Sequence, residues 1–111
     1  MTVYVDDMRA SFGRMVMCHL LADSDEELHA MAERIGVARK WWQGPPKTRY
    51  SHYDIALSKR ALAVQGGAVE ITLRQAGAMS FRRRATGQLG HPADALEWLA
   101  QFHAQRRKAC A

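Results

Sequence analysis

Residues 15–22 read MVMCHLLA, apolar at every position except His19. Eight residues are too few to cross a bilayer, which takes roughly 20. A run without polar alternation is what a strand covered on both faces requires. It leads directly into DSDEELHAMAERIG, where Ser24 and Glu27 form a capping box and Leu28, Met31, Ala32 and Ile35 recur at helical spacing. Gly36 supplies the C-terminal stop. A buried strand feeding an amphipathic helix points to an α/β fold.

The remaining segments extend the pattern. Residues 2–5 predict a strand ending at Asp6 and Asp7, and residues 37–43 (VARKWWQ) predict a third strand before a loop, GPPKTRY. A second capping box, Ser51 to Asp54, predicts a helix from Tyr53 to Gln65, closed by Gly66 and Gly67. Residues 68–72 (AVEIT) predict a strand, Thr72 caps a third helix towards Arg84, and Pro92 opens a last helix ending near Arg107. Alternation of this kind predicts a small, mostly parallel sheet of about four strands flanked by helices. Residues 1–84 form the α/β core in this reading. Residues 85–111 add a linker and an amphipathic helix packed on the core through Leu96, Leu99 and Phe102.

A chain of 111 residues buries roughly two-thirds of its unfolded surface, so its core needs no disulfide or structural metal. Cys18 lies in the apolar run and Cys110 is next to last, which predicts two free thiols in a reducing compartment. The N-terminus, MTVYVDDMRA, carries acids where a signal peptide would be basic. The expectation is a cytoplasmic protein with no membrane contact, as a monomer or a homodimer. Residues 1–36 hold seven acids and three bases, and residues 37–111 hold thirteen bases and four acids, for a net charge of +5. Such a basic part suits a polyanion, although Arg and Lys that merely solvate helix faces give the same count. Arg82, Arg83 and Arg84, and Arg106, Arg107 and Lys108, fall in the last turns of predicted helices, where bases complement the dipole.

In an open parallel sheet, ligands bind beyond the carboxyl ends of the strands. That rule selects Asp6, Asp7, His19, His52, Tyr53, Asp54, Lys59 and Arg60 as ligand-binding candidates. Asp6, Asp7, His19, His52 and Asp54 are the donors that could hold a divalent metal, but no His-Glu-x-x-His or Cys-x-x-Cys spacing accompanies them. Asp54 has a competing role in its capping box, and Asp23 in capping the first helix. His29, four residues before Glu33, reads as a helix flank position. Trp41, Trp42 and Tyr50, interleaved with Lys47 and Arg49, suit base stacking or core packing equally well.

The stretches VYVDD (residues 3–7), CHLLADSDEELHAMAERIGVARKWWQ (18–43) and HYDIALSKRALAVQGGAVEIT (52–72) together resemble the uncharacterised bacterial and phage family catalogued as domain of unknown function 4031. The resemblance falls on Asp6, His19, Asp23, Glu27, Leu28, His29, His52, Tyr53, Asp54 and Arg60. Its most specific parts are Glu27-Leu28-His29 and His52-Tyr53-Asp54. It implies a shared polar site and brings no reaction with it.

Three classes of function fit these residues. The first is a module binding a phosphate-bearing ligand, nucleotide or nucleic acid, in a crevice at the strand ends. The second is a metal-dependent phosphodiester hydrolase with His19 or His52 as ligand or general acid/base. The third is a phage-encoded protein-interaction module or inhibitor of a host protein, using Trp41, Trp42 and the terminal helix against a protein partner.

Overall fold

The apolar run is a strand, β3 (Met15–Ala22), in the computed structural model, which describes residues 2–110. Before it come β1 (Val3–Val5) and β2 (Ala10–Phe12), and Gly13 at φ 61° makes the turn from β2 into β3. After it, Ser24 caps α1 (Asp25–Arg34): its hydroxyl accepts the Glu27 N–H at 3.2 Å and donates to the Glu27 carboxylate at 3.0 Å. The helix ends at Ile35, and Gly36 takes a φ of 82° that a side chain would resist.

From here the chain departs from the sequence-based expectation. Residues 37–43 are not a strand; they contain a 3-10 turn, Arg39–Trp41, and Gln43 makes one isolated bridge to His52. The Ser51–Asp54 capping box does not form. Residues 53–56 are instead a strand, β4 (Tyr53–Ala56), and α2 (Leu57–Gln65) starts only after it. Ser51 is drawn elsewhere, accepting from the Trp42 indole at 3.0 Å and donating to Asp25 at 2.6 Å. β5 (Val69–Glu70), α3 (Leu73–Thr86), a 3-10 turn at Pro92–Asp94 and α4 (Ala95–Cys110) complete the order.

The sheet has five strands and is mixed, not mostly parallel. β3 pairs antiparallel with β1, β2 and β4, and only β1 with β5 is parallel. A strand has two edges. Leu20 pairs with both Val5 and Tyr53, and Met17 with both Ala10 and Ala56, so β1 and β2 share one edge of β3 and β4 takes the other. Between Val5 opposite Leu20 and Ala10 opposite Met17 the β1–β2 arm carries two more residues than β3 does. The arm therefore bulges at residues 6–9.

Side chains alternate across the sheet. Val5, Cys18, Leu20, Ala22, Tyr53 and Ile55 point to one face, where they pack with Leu28, Met31, Ala32 and Ile35 of the first helix segment and Ala63 of α2. Asp6, His19 and Asp54 fall on the other. Both cysteines are free; Cys18 is in the core, where burial pushes its thiol up to about 11, and Cys110 is exposed.

By its contacts the chain forms two units, Met1–Leu73 and Arg74–Ala111. The second is organised around Arg82, whose guanidinium donates to the carbonyls of Leu89 and His91 at 2.7 Å each and pairs with Asp94 at 3.0 Å. Gly90 has φ 69°, and a Cβ there would collide with that guanidinium. Trp98 and Phe102 stack, and Phe81 packs edge-on against Phe102, in an aromatic ridge joining α3 to α4. Among the described residues no helix is long and apolar enough to cross a membrane.

Candidate metal centre

The bulge decides what Asp6 can do. The Asp6 N–H still donates to the His19 carbonyl at 3.2 Å, continuing the β1–β3 ladder. The chain then turns away, and the Asp6 carboxylate takes the place of a strand partner. Its Oδ1 accepts the His19 backbone N–H at 2.9 Å and the Met8 N–H at 3.2 Å, while Oδ2 lies 2.6 Å from His19 Nδ1. Asp6 is fully buried. A buried carboxylate costs free energy unless it is paired and hydrogen-bonded, and here every contact is a donor. Burial works to raise the Asp6 pKa, but the hydrogen bonds and charge of His19, with the Met8 N–H, outweigh it and hold the group below its ordinary value. His19 moves the opposite way: its bond to Asp6 raises its pKa, burial opposes, and the charges of Asp6 and Asp54 add to the rise.

With Nδ1 engaged by Asp6, Nε2 of His19 is directed across the strand pair. His19 sits opposite Asp54 in the β3–β4 register, and His52, two residues before Asp54, shares its face. The Asp54 Oδ1 lies 3.7 Å from His19 Nε2 and 3.5 Å from His52 Nε2. His52 Nδ1 is 2.8 Å from the Tyr50 carbonyl, an acceptor only, so Nδ1 carries a proton and a neutral ring has its lone pair on Nε2. Asp54 Oδ2 accepts from Gln43 Nε2 at 2.7 Å. The two imidazole rings meet edge to face at 5.2 Å.

The three groups thus share one construction. Each has one polar atom tied back to the protein, by Asp6, by Tyr50 or by Gln43, and a second atom turned towards the other two. Those free atoms all lie within 4.8 Å of one another. Ligands about 2.0–2.1 Å from a tetrahedral ion stand about 3.3–3.4 Å apart, so two of the separations are nearly those of a filled site. Asp54 Oδ1 is the one buried side-chain oxygen or nitrogen without a hydrogen-bond partner among the described residues. A buried carboxylate oxygen that faces two imidazole nitrogens without a hydrogen-bond partner is unfavourable for a bare protein and natural for a cation. The site is reachable: the His19, His52 and Asp54 side chains keep 29%, 16% and 38% of their exposure.

The other sequence candidates lie elsewhere. The crevice is on a sheet face, not beyond the strand ends. Asp7 is exposed and its Oδ1 accepts the Leu73 N–H at 2.6 Å, serving the start of α3. Arg60 donates to the Asp6 carbonyl at 2.9 Å and pairs with Glu70 at 2.8 Å; Lys59 extends its Nζ to Gly36. Tyr53 is buried on the opposite face, with its hydroxyl 2.7 Å from His29 Nδ1. Trp41 is exposed and Trp42 packs edge-on against His29. Gln43 was not among the candidates, and Tyr50 was one only for base stacking through its ring. A glutamine and a backbone carbonyl carry no sequence signal, and only the Gln43–His52 bridge places them here.

Residues 3–84 match the model of a family described as "Protein of unknown function (DUF4031)". That stretch contains every residue of the cluster and ends before α4. No curated protein and no solved structure matches the chain.

Proposed function

The chain belongs to the DUF4031 family, and from its side-chain geometry we propose that it is a mononuclear metal-dependent hydrolase, with His19, His52 and Asp54 holding the ion. The observation that carries the reading is the tied-back arrangement of all three groups around the orphaned Asp54 oxygen. Two imidazoles and one carboxylate are the donor set of catalytic zinc sites, which leave a fourth position for water. An ion held by His19, His52 and Asp54 would supply an activated water as nucleophile and polarise the oxygen under attack. Asp6 fixes the tautomer and orientation of His19, in the manner of a carboxylate–histidine–zinc arrangement. It is a positioning residue rather than a fourth ligand, because its carboxylate is already filled by three N–H groups.

The substrate we infer is a phosphodiester, in a nucleotide or nucleic acid. The basic balance of residues 37–111 favours an anion. Arg60 is occupied within the fold by the Asp6 carbonyl and Glu70, so the phosphate meets the ion and not that side chain. The test is metal analysis of protein purified without chelator, then titration of the stripped protein with Zn²⁺ and Mn²⁺, and turnover of bis(p-nitrophenyl) phosphate. One ion per chain and metal-dependent turnover, both lost in Asp54→Ala and His52→Ala, are expected. A stripped protein that takes up neither ion overturns the proposal; uptake without turnover of any phosphodiester leaves the centre standing and refutes the hydrolase.

A further inference from the structure

On the opposite face of β4 lies a second polar site that the metal centre does not use. The two most specific motifs of the sequence meet there: His29 Nδ1 is 2.7 Å from the hydroxyl of the fully buried Tyr53. Around them opens a cavity of about 390 Å³ lined by His29, Glu33, Val37, Ala38, Arg39 and Tyr53. That volume lies in the range of small-molecule sites, roughly 300–1,000 Å³.

Burial and the neighbouring Arg39 charge lower the pKa of His29, which favours its neutral form. Where the Tyr53 hydroxyl donates to Nδ1, the one hydrogen of the neutral ring is on Nε2 and becomes a donor. The cavity thus combines a guanidinium and an imidazole N–H with an acid, Glu33, on the last turn of α1. That turn is also the negative end of the helix dipole. Among the described residues neither Arg39 nor Glu33 takes part in an ion pair.

A lone anion would suit Arg39 and be opposed by Glu33 and the helix end. A lone cation would meet the reverse. A ligand bearing both charges satisfies both, and Val37 and Ala38 provide apolar wall for a side chain. We propose that this cavity binds an α-amino acid or a close zwitterionic analogue, its carboxylate on Arg39 and His29 and its ammonium group towards Glu33 and the α1 C-terminus. The proposal does not depend on the metal centre.

The test uses the full chain and backbone amide NMR, with L-leucine and L-phenylalanine as probes. Leucinamide, which lacks the carboxylate, and 4-methylpentanoate, which lacks the ammonium group, are the controls. Saturable shifts at His29, Gly36, Arg39 and Tyr53 with an amino acid, weaker by about tenfold for each control, are expected, since a charge-assisted hydrogen bond is worth roughly that factor. Arg39→Gln should weaken the amino acids and leave leucinamide as tight or tighter. Glu33→Gln should weaken the amino acids and leave 4-methylpentanoate as tight or tighter. Both positions are exposed, and a spectrum otherwise like the wild type shows the fold intact. The proposal fails if no amino acid shifts these amides, or if a control binds as tightly as its parent.

Discussion

Replacing Asp6 by Asn tests whether the buried carboxylate sets the chemistry of His19. Asn keeps the shape and one acceptor oxygen but presents an NH₂ where the second oxygen stood. The oxygen stays where two backbone donors need it, on the His19 and Met8 N–H groups. The amide nitrogen then faces His19 Nδ1, which must accept rather than donate. The imidazole proton moves to Nε2, and the lone pair aimed at Asp54 and His52 is gone. Loss of such a partner costs a metal site about 10–100-fold in affinity, or about 1.4–2.8 kcal/mol. Exchanging a charge-assisted hydrogen bond for a neutral one adds a destabilisation of about 1–2 kcal/mol, which lowers the melting temperature by about 4–8 °C per kcal/mol in a domain this size. The assays are competition with a chromophoric zinc chelator and urea unfolding of the metal-free protein across pH. In the wild type, Asp6 is depressed, so its contribution is present above the unfolded carboxylate value, about 3.9, and disappears as pH falls through the folded one. His19 is raised, so its contribution is complete below about 6.5 and disappears as pH rises through its folded value. Metal-free stability attributable to the pair should peak between those limits, and Asp6→Asn should flatten that peak. A variant with wild-type zinc affinity and an undiminished pH peak would refute the reasoning.

Asp7→Ala should leave metal affinity unchanged and cost about 0.5–2 kcal/mol by removing the acceptor of the Leu73 N–H, read from urea unfolding. Gln43→Leu should weaken zinc binding with little effect on fold, because it frees the Asp54 carboxylate to rotate, and a chelator competition will show it. Gly90→Ala should destabilise by more than about 1 kcal/mol, since it adds both a positive φ and a collision with Arg82; a melting temperature equal to wild type would count against that packing. Native protein at pH 8 should react with iodoacetamide at Cys110 alone, and at Cys18 only in denaturant, as mass spectrometry of the peptides will report.

What could be read from the sequence was local. The β3 run and the Ser24–Glu27 box each contain their own evidence within a few residues, and both formed as expected. Ser51–Asp54 has the same letters as a capping box, yet residues 52–55 alternate polar and apolar, and cross-strand pairing with Met17–Leu20 decided between the two readings. Strand direction was misjudged because helices between strands suggest parallel crossovers. Here the β2–β3 turn at Gly13 and the return of β4 beside β3 make antiparallel neighbours. At the site, Asp6, His19, His52 and Asp54 were recognisable as acids and imidazoles, with Asp6 read at a strand end, His19 within a strand, and His52 and Asp54 at a helix start. Their separate roles were not, because these depend on a bulge and on contacts from Gln43 and Tyr50 that only the folded sheet supplies.

The register offset between β1–β2 and β3 also bears on the order in which the molecule assembles. A hairpin closed at Gly13 pairs neighbours quickly, within roughly microseconds, and so brings His19 close to Asp6 early. The strand carrying His52 and Asp54 arrives only after α1 and the loop beyond it have been enclosed, a slower step whose entropy cost grows with the length of chain closed. The ion-binding geometry is therefore completed after the β2–β3 hairpin. A cation that selects it holds β4 against β3 by mass action, about 2.7 kcal/mol at a hundredfold excess over its dissociation constant. Unfolding should slow on loading while the early folding phase keeps its rate, because the pairing that the ion clamps forms after the rate of that phase is set.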